Sequence, residues 1–201
     1  MLELFTIGHS VHPIERFIEL LTMHGITALC DVRSSPYSRF TPQFNREALK
    51  DELAKHHIAY IYLGSELGPR SSDQNCYKDG KVQYDLLART DLFQQGLSRL
   101  RKGIKSYRIA LMCAEKDPVV CHRMILICRY LSDGGIRIGH ILEDGSIENN
   151  SDTEARLMEL LNISPDDLFS TTEAQVMRAY DLQGKKIAYT LQEEQGNYES
   201  H

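Results

Sequence analysis

Short apolar runs alternate with amphipathic stretches along this chain, and the alternation predicts strands and helices in turn. Residues 2–7 form a compact apolar run of strand length, which Gly8-His9-Ser10 interrupts. Pro13 suits the first turn of a helix. Ile14, Phe17, Ile18, Leu20 and Leu21 then keep a helical stripe until Gly25 stops it. Residues 28–32 read as a second strand, and residues 33–44 as a loop broken by Pro36 and Pro42. Asn45 is placed to cap a helix running to about residue 55. A third strand is expected over 59–63. The stretch 64–81 is polar and rich in Gly, Pro and Ser, so it reads as a loop or lid. A helix over 91–102, a strand over 108–112 and a loop over 113–120 follow. An apolar helix over 121–131 ends at Gly134-Gly135, and a fifth strand spans 137–142.

Strands alternating with helices imply a mostly parallel sheet covered on both faces. The expected fold is α/β, a single three-layer domain whose residues 1–145 carry the site. Beyond Asp144-Gly145 the pattern changes. Helix-like segments at 152–161 and 172–180 and a strand-like piece at 186–191 make 146–201 a small C-terminal helical extension of the same domain. The polar tail after Gln192 reads as mobile.

Composition narrows the function. With 201 residues the chain suits one domain with a proper core. A net charge of -5 leaves no whole-surface basic footprint, so long duplex nucleic acid is not an expected partner. No apolar run is long enough to span a bilayer. The first residues lack the basic and hydrophobic regions of a signal peptide and read as a strand. Five cysteines, an odd number without a secretory signal, point to reduced thiols and a cytoplasmic location.

In open parallel sheets the functional crevice lies outside the carboxyl ends of the strands. The segments that follow the first four strands are all rich in functional groups. They hold His9; then Arg33, Tyr37 and Arg39; then Glu66 and Arg70; then Cys113, Glu115, Lys116, Cys121, His122 and Arg123. The last segment is the sharpest. Cys113 ends a strand, and Cys121 sits near the start of the expected helix, where free N–H groups attract anions and favour a thiolate. Cys113 is the candidate nucleophile, Cys121 a second thiol, His122 and His9 proton carriers, and Arg123 an anion clamp. Arg33, Tyr37, Arg39, Glu66, Arg70, Glu115 and Lys116 are the remaining candidate substrate contacts. The competing reading makes both cysteines small buried hydrophobes and Arg123 a structural ion pair.

A metal at Cys113, Cys121 and His122, with Cys30 or His9 as a fourth ligand, is the weaker alternative, because the spacing lacks the paired close ligands of zinc motifs. No cofactor is predicted. Gly64 and Gly68 match neither the P-loop nor the dinucleotide fingerprint, so ATP and NAD are not expected. Cys128 reads as core, Cys76 as exposed in the lid loop, and Asp31 as a residue that orients Arg33.

Thr6-Ile7-Gly8-His9-Ser10, Asp31-Val32-Arg33-Ser34-Ser35-Pro36-Tyr37-Ser38, Leu63-Gly64-Ser65-Glu66-Leu67-Gly68 and Cys113-Ala114-Glu115-Lys116-Asp117-Pro118 with Cys121-His122-Arg123 resemble, in order, the signature blocks of the domain-of-unknown-function 488 family. A tail motif, Ala179-Tyr180 to Ile187-Ala188-Tyr189, resembles that family too. The resemblance implies a small bacterial or archaeal cytoplasmic α/β protein and supplies no reaction. In layout alone, Asp31-Val32-Arg33 followed by strand, Cys113, loop and Arg123 is similar to rhodanese-like sulfurtransferases and cysteine phosphatases. Here nine residues, Pro118 among them, separate Cys113 from Arg123.

The leading expectation is therefore a cysteine-centred enzyme acting on a small anionic or sulfur-containing substrate. The alternative is a protein that binds or processes a nucleotide or a short single strand in an arginine-lined cleft, with structural cysteines.

Overall fold

Strands buried on both faces must be apolar at every position, which is why they read as unbroken runs rather than alternating ones. A computed structural model describes residues 2–132, 135–164 and 170–191. Its strands are β1 (Leu2–Gly8), β2 (Ala28–Asp31), β3 (Ala59–Tyr62), β4 (Tyr77–Lys78), β5 (Lys81–Val82), β6 (Ile109–Cys113), β7 (Ile136–Ile141) and β8 (Ile147–Asn149). All five residues of β6 are buried. Six strands form one sheet in the order β3-β2-β6-β1-β7-β8, parallel except for β8, while β4 and β5 pair separately.

The helices are α1 (Ile14–Met23), α2 (Arg46–Lys55), α3 (Gly64–Leu67), α4 (Tyr84–Ala88), α5 (Asp91–Gly103), α6 (Asn150–Leu160) and α7 (Thr172–Ile187). Phe17 and Leu21 of α1 and Leu49 and Leu53 of α2 pack on one sheet face against Phe5, Ile7 and Leu29. The other face is covered by α4, α5, α6, α7 and residues 123–130. The chain is α/β in three layers, as its pattern implies.

The strand order matters for function. β1 and β6 are neighbours, with Gly8 opposite Cys113. From β1 the chain crosses through α1 to β2 on one side, and from β6 it crosses through residues 123–130 to β7 on the other. The two connections leave over opposite faces. Open parallel sheets place their functional groups outside the strand carboxyl ends at such a reversal, and here the loops that follow Gly8 and Cys113 lie side by side there.

Several local expectations need correction. Asn45 does precede α2, but its side chain makes no cap; Oδ1 instead accepts from the Ser38 N–H at 2.7 Å, bracing the preceding loop. Residues 121–131 are not one regular helix. A π turn (Arg123–Ile127) and a 3₁₀ turn (Cys128–Tyr130) replace it, preceded by another 3₁₀ turn (Pro118–Val120). Every residue from Cys121 to Cys128 is buried, so packing on all sides sets the pitch. The lid stretch 64–81 contains α3, a 3₁₀ turn and β4. The strand-like piece 186–191 is the end of α7 followed by one bridge from Thr190 to Lys81 of β5.

Residues beyond 145 supply β8 to the sheet edge and bury Leu157, Met158, Ala179 and Tyr180 in the same core. The tail from Gln192 and Gly134 lie outside the described residues. No helix among the described residues is long and apolar enough to cross a membrane.

Two glycines let backbone approach backbone at this edge of the sheet. A Cβ on Gly8 would meet the Glu115 carbonyl oxygen at 2.0 Å, and one on Gly64 would meet that of Arg33 at 1.9 Å. Gly8→Ala is expected to push the Cys113 loop off β1 and to cost about 1–3 kcal/mol, read as a fall in the thermal midpoint. An unchanged midpoint would show slack where the structure has none.

Candidate functional site

At the carboxyl end of β6, four side chains converge. The Cys113 and Cys121 thiols both donate to one carboxylate oxygen, Glu115 Oε2, at 2.9 and 3.0 Å. His122 Nδ1 lies 3.5 Å from the Cys113 sulfur and 3.9 Å from that of Cys121. Its Nε2 lies 3.0 Å from the Val32 carbonyl oxygen. A carbonyl can only accept, so in the neutral ring Nε2 carries the proton and Nδ1 turns its lone pair on the sulfurs. The four ligand-type atoms all lie within 4.8 Å of one another. Cys113, Cys121 and His122 are buried, whereas part of Glu115 reaches solvent.

Charge is unevenly distributed in this cluster. Burial opposes ionisation of Glu115, yet the two thiol hydrogen bonds hold its carboxyl below the ordinary carboxylate value. Burial, reinforced by the Cys113 thiol, pushes the Cys121 thiol well above its usual value. Cys30 and Cys128 are pushed up by burial too, Cys30 to about 12, which marks them as inert core thiols. Cys76 is also buried, not exposed as its polar surroundings suggest. All five cysteines are free.

Arg123, the candidate anion clamp, is turned into the protein. It is 1% exposed. Its Nη1 and Nη2 donate to the Glu115 and Lys116 carbonyls at 2.6 and 2.9 Å, and its Nε donates to Thr6 Oγ1 at 3.3 Å. Its donors face inward and tie the loop to the strands. Behind it runs a buried polar chain. Thr6 donates to His140 Nδ1 at 2.8 Å, His140 Nε2 donates to Asn150 Oδ1 at 3.1 Å, and Asn150 and Tyr180 both donate to Glu154 at 2.8 Å. Of these residues, the sequence singled out Arg123 as a candidate and held Thr6 and Tyr180 within resemblance motifs, without a role for either. A lone histidine in the apolar run of β7 was the available signal for His140.

His9 and Arg33 form a second buried pair beside Cys113. Asp31 accepts from Arg33 Nε at 2.9 Å and Nη2 at 2.6 Å, and from Tyr60 at 2.8 Å. It thus orients Arg33, as its position suggests. Arg33 Nη2 also donates to the Phe44 carbonyl at 2.8 Å, and Nη1 lies 3.2 Å from His9 Nε2. His9 Nδ1 donates to the Ser10 carbonyl at 2.8 Å, and its ring stacks on Phe44. With one nitrogen donating and the other facing a guanidinium, the ring has no site for a further proton. Burial, then Arg33, lowers His9 to about 4. Neither His9 as proton carrier nor Arg33 as substrate contact fits this wiring.

The remaining candidates do not reach the cluster. Tyr37 donates to Glu47, Arg39 lies over Phe40, and Arg70 lies over Tyr189. Glu66 is ion-paired to Arg99, and Lys116 to Glu143. Beside the Cys113 loop a hollow of about 540 Å³ is lined by Lys116, Asp117, Glu143, Asp144, Glu148 and Arg156, among others. Its carboxylates outnumber its cations, so it does not suit an anion.

Two of the buried histidines make a pH prediction. His9 and His140 bind protons at about 4 when folded and near 6.5 when unfolded, chiefly because burial disfavours the charged ring. Between those values the unfolded chain holds more protons, so stability falls as pH drops from 6.5 towards 4 and is flat above. The slope is up to about 1.4 kcal/mol per pH unit for each ring. Urea unfolding at pH 7, 6 and 5 should show it, and His140→Asn should make the slope shallower by the share of one ring. Equal stability at all three would place both rings in water.

The family model described as domain of unknown function DUF488 matches residues 13–130, more than half of the chain. The matched span holds Asp31, Arg33 and the whole stretch from Cys113 to Arg123, while β1 with Gly8 and His9 precedes it. Neither a curated protein nor a solved structure matches the chain. On that match, the chain belongs to the family of the domain of unknown function DUF488.

Proposed function

We propose that the protein is an enzyme whose reaction centre is the cluster of Cys113, Cys121, Glu115 and His122, with Cys113 as the reactive sulfur. The observation that carries this reading is the meeting of two thiols on one carboxylate oxygen, beside an imidazole lone pair, at the strand-order reversal. Glu115 at 2.9 Å is within reach to accept the Cys113 proton, and its exposed part connects the centre to solvent. A second thiol within 4.8 Å favours a sulfur-containing substrate. An anionic one has less support, because Arg33 and Arg123 are both engaged inside the protein and Lys116 is paired with Glu143. Free thiols suit a reducing cytoplasm, where we place the protein.

The nucleotide reading keeps one specific support. Arg39 lies 5.0 Å from the centroid of Phe40, which is 82% exposed, and Tyr37 stands exposed on the same loop. Such a group can stack a base beside a phosphate. Oligonucleotide binding that weakens with salt and is lost in Arg39→Ala would favour it over the thiol enzyme.

The thiol reading is tested by timed alkylation of metal-stripped protein, with each cysteine followed by mass spectrometry. Cys113 should react first of the five, with Cys30, Cys121 and Cys128 slow. Glu115→Gln removes the proton acceptor and should slow Cys113 about tenfold, equivalent to about 1.4 kcal/mol. One common rate for all five thiols would falsify the assignment.

A further inference from the structure

We propose that Cys113, Cys121, His122 and Glu115 bind one zinc-class dication, with Glu115 as the exchangeable fourth ligand. The proposal rests on the preceding reading for the location of the centre and deepens it, since a metal-bound thiol is held as the thiolate.

Donor chemistry comes first. Two sulfurs, one imidazole nitrogen and one carboxylate oxygen form a mixed set of the kind that tetrahedral zinc accepts and that hard cations such as magnesium do not. Geometry comes second. Bonds of about 2.3 Å to sulfur and about 2.0 Å to nitrogen at tetrahedral angles place S and N about 3.5 Å apart. The observed S···Nδ1 separations are 3.5 and 3.9 Å. The S···Oε2 separations of 2.9 and 3.0 Å are hydrogen-bond lengths and must open by about half an ångström around an ion.

Orientation comes third. His122 presents Nδ1 because Nε2 donates to the Val32 carbonyl, the usual way in which a ligating histidine is held by its outer partner. Arg123 fixes the Glu115 and Lys116 carbonyls, and the Gly8 contact fixes the same turn from the other side. The ligands are thus held before any ion arrives.

Charge is conserved on loading. Two S–H bonds break, two protons leave to solvent and two metal–sulfur bonds form, with no change of oxidation state. One dication replaces two protons, so the net charge of the cluster stays at that of the Glu115 carboxylate. The buried surroundings therefore take no new charge from metal binding. Because Glu115 is the one ligand that reaches solvent, its position is where water or substrate can enter.

The full-length protein is purified without chelator and its zinc measured by elemental analysis; the stripped protein is then titrated with Co²⁺ and followed by absorption. One zinc per chain is expected, together with a near-ultraviolet thiolate-to-cobalt band and the visible bands of a tetrahedral ion. Cys113→Ser or Cys121→Ser should abolish the thiolate band or weaken it sharply, and lower affinity at least about a hundredfold, the upper end of what even outer partners cost. Glu115→Gln, a change at a partly exposed residue, should keep the ion and the sulfur band but bind more weakly.

A wild-type chain with neither zinc nor a cobalt–thiolate band overturns the proposal without recourse to any variant. Bands that persist unchanged in both serine variants overturn it as well, because the ion is then elsewhere. Alkylation of the stripped sample reads the preceding hypothesis separately. Fast Cys113 without metal binding leaves the thiol enzyme standing and removes the ion, whereas metal binding with an unreactive Cys113 does the reverse.

Discussion

Arg123 holds the centre of this molecule together. Its guanidinium is enclosed by protein and spends its donors on two consecutive carbonyls of the Cys113 loop and on a threonine of β1. Hydrogen bonds from a charged donor contribute about 1.5–3 kcal/mol each, more than neutral ones. They are directional, so the loop has one place to sit. Thr6 passes that constraint on to His140, Asn150 and Glu154, joining β1, β7 and α6 to the loop that bears the thiols. The position of Cys113 relative to Glu115 and His122 follows from this frame.

A division of labour among the polar residues results. Arg33, Asp31, His9 and Tyr60 form one buried assembly and Arg123, Thr6, His140 and Asn150 another; both support the backbone. Between them lie the four side chains whose reactive atoms face one another rather than the scaffold. Gly8 lets strand and turn touch, since any side chain there would hold the Glu115 turn away from β1. The turn that bears the cluster is therefore held close to β1, which suits a centre of small reach, whether a thiol or a bound ion.

The apolar runs of β1, β2 and β6 and the helical stripes of α1 and α5 were legible because burial of a sheet on both faces leaves a local imprint. The C-terminal part was less legible. β8 is three residues long, and residues 186–191 have a strand-like composition but follow straight on from α7. The broken turns over 118–130 could not be read either, because an enclosed apolar segment carries no period from which to infer its pitch.

The sequence by itself determined the α/β class, the placing of the chemistry-bearing loops after strands, and the presence of Cys113, Cys121 and His122 in one of them. Strand periodicity and the order of residues along a loop are local properties. Only the tertiary structure decided that Arg123 and Arg33 face inward, that His9 is locked as a neutral ring, and that Glu115 closes on both thiols. Those outcomes depend on which carbonyl or carboxylate lies within about 3 Å of each donor. The partners come from β1, β2, the Phe44 turn and the far end of the loop, segments that the fold alone brings together.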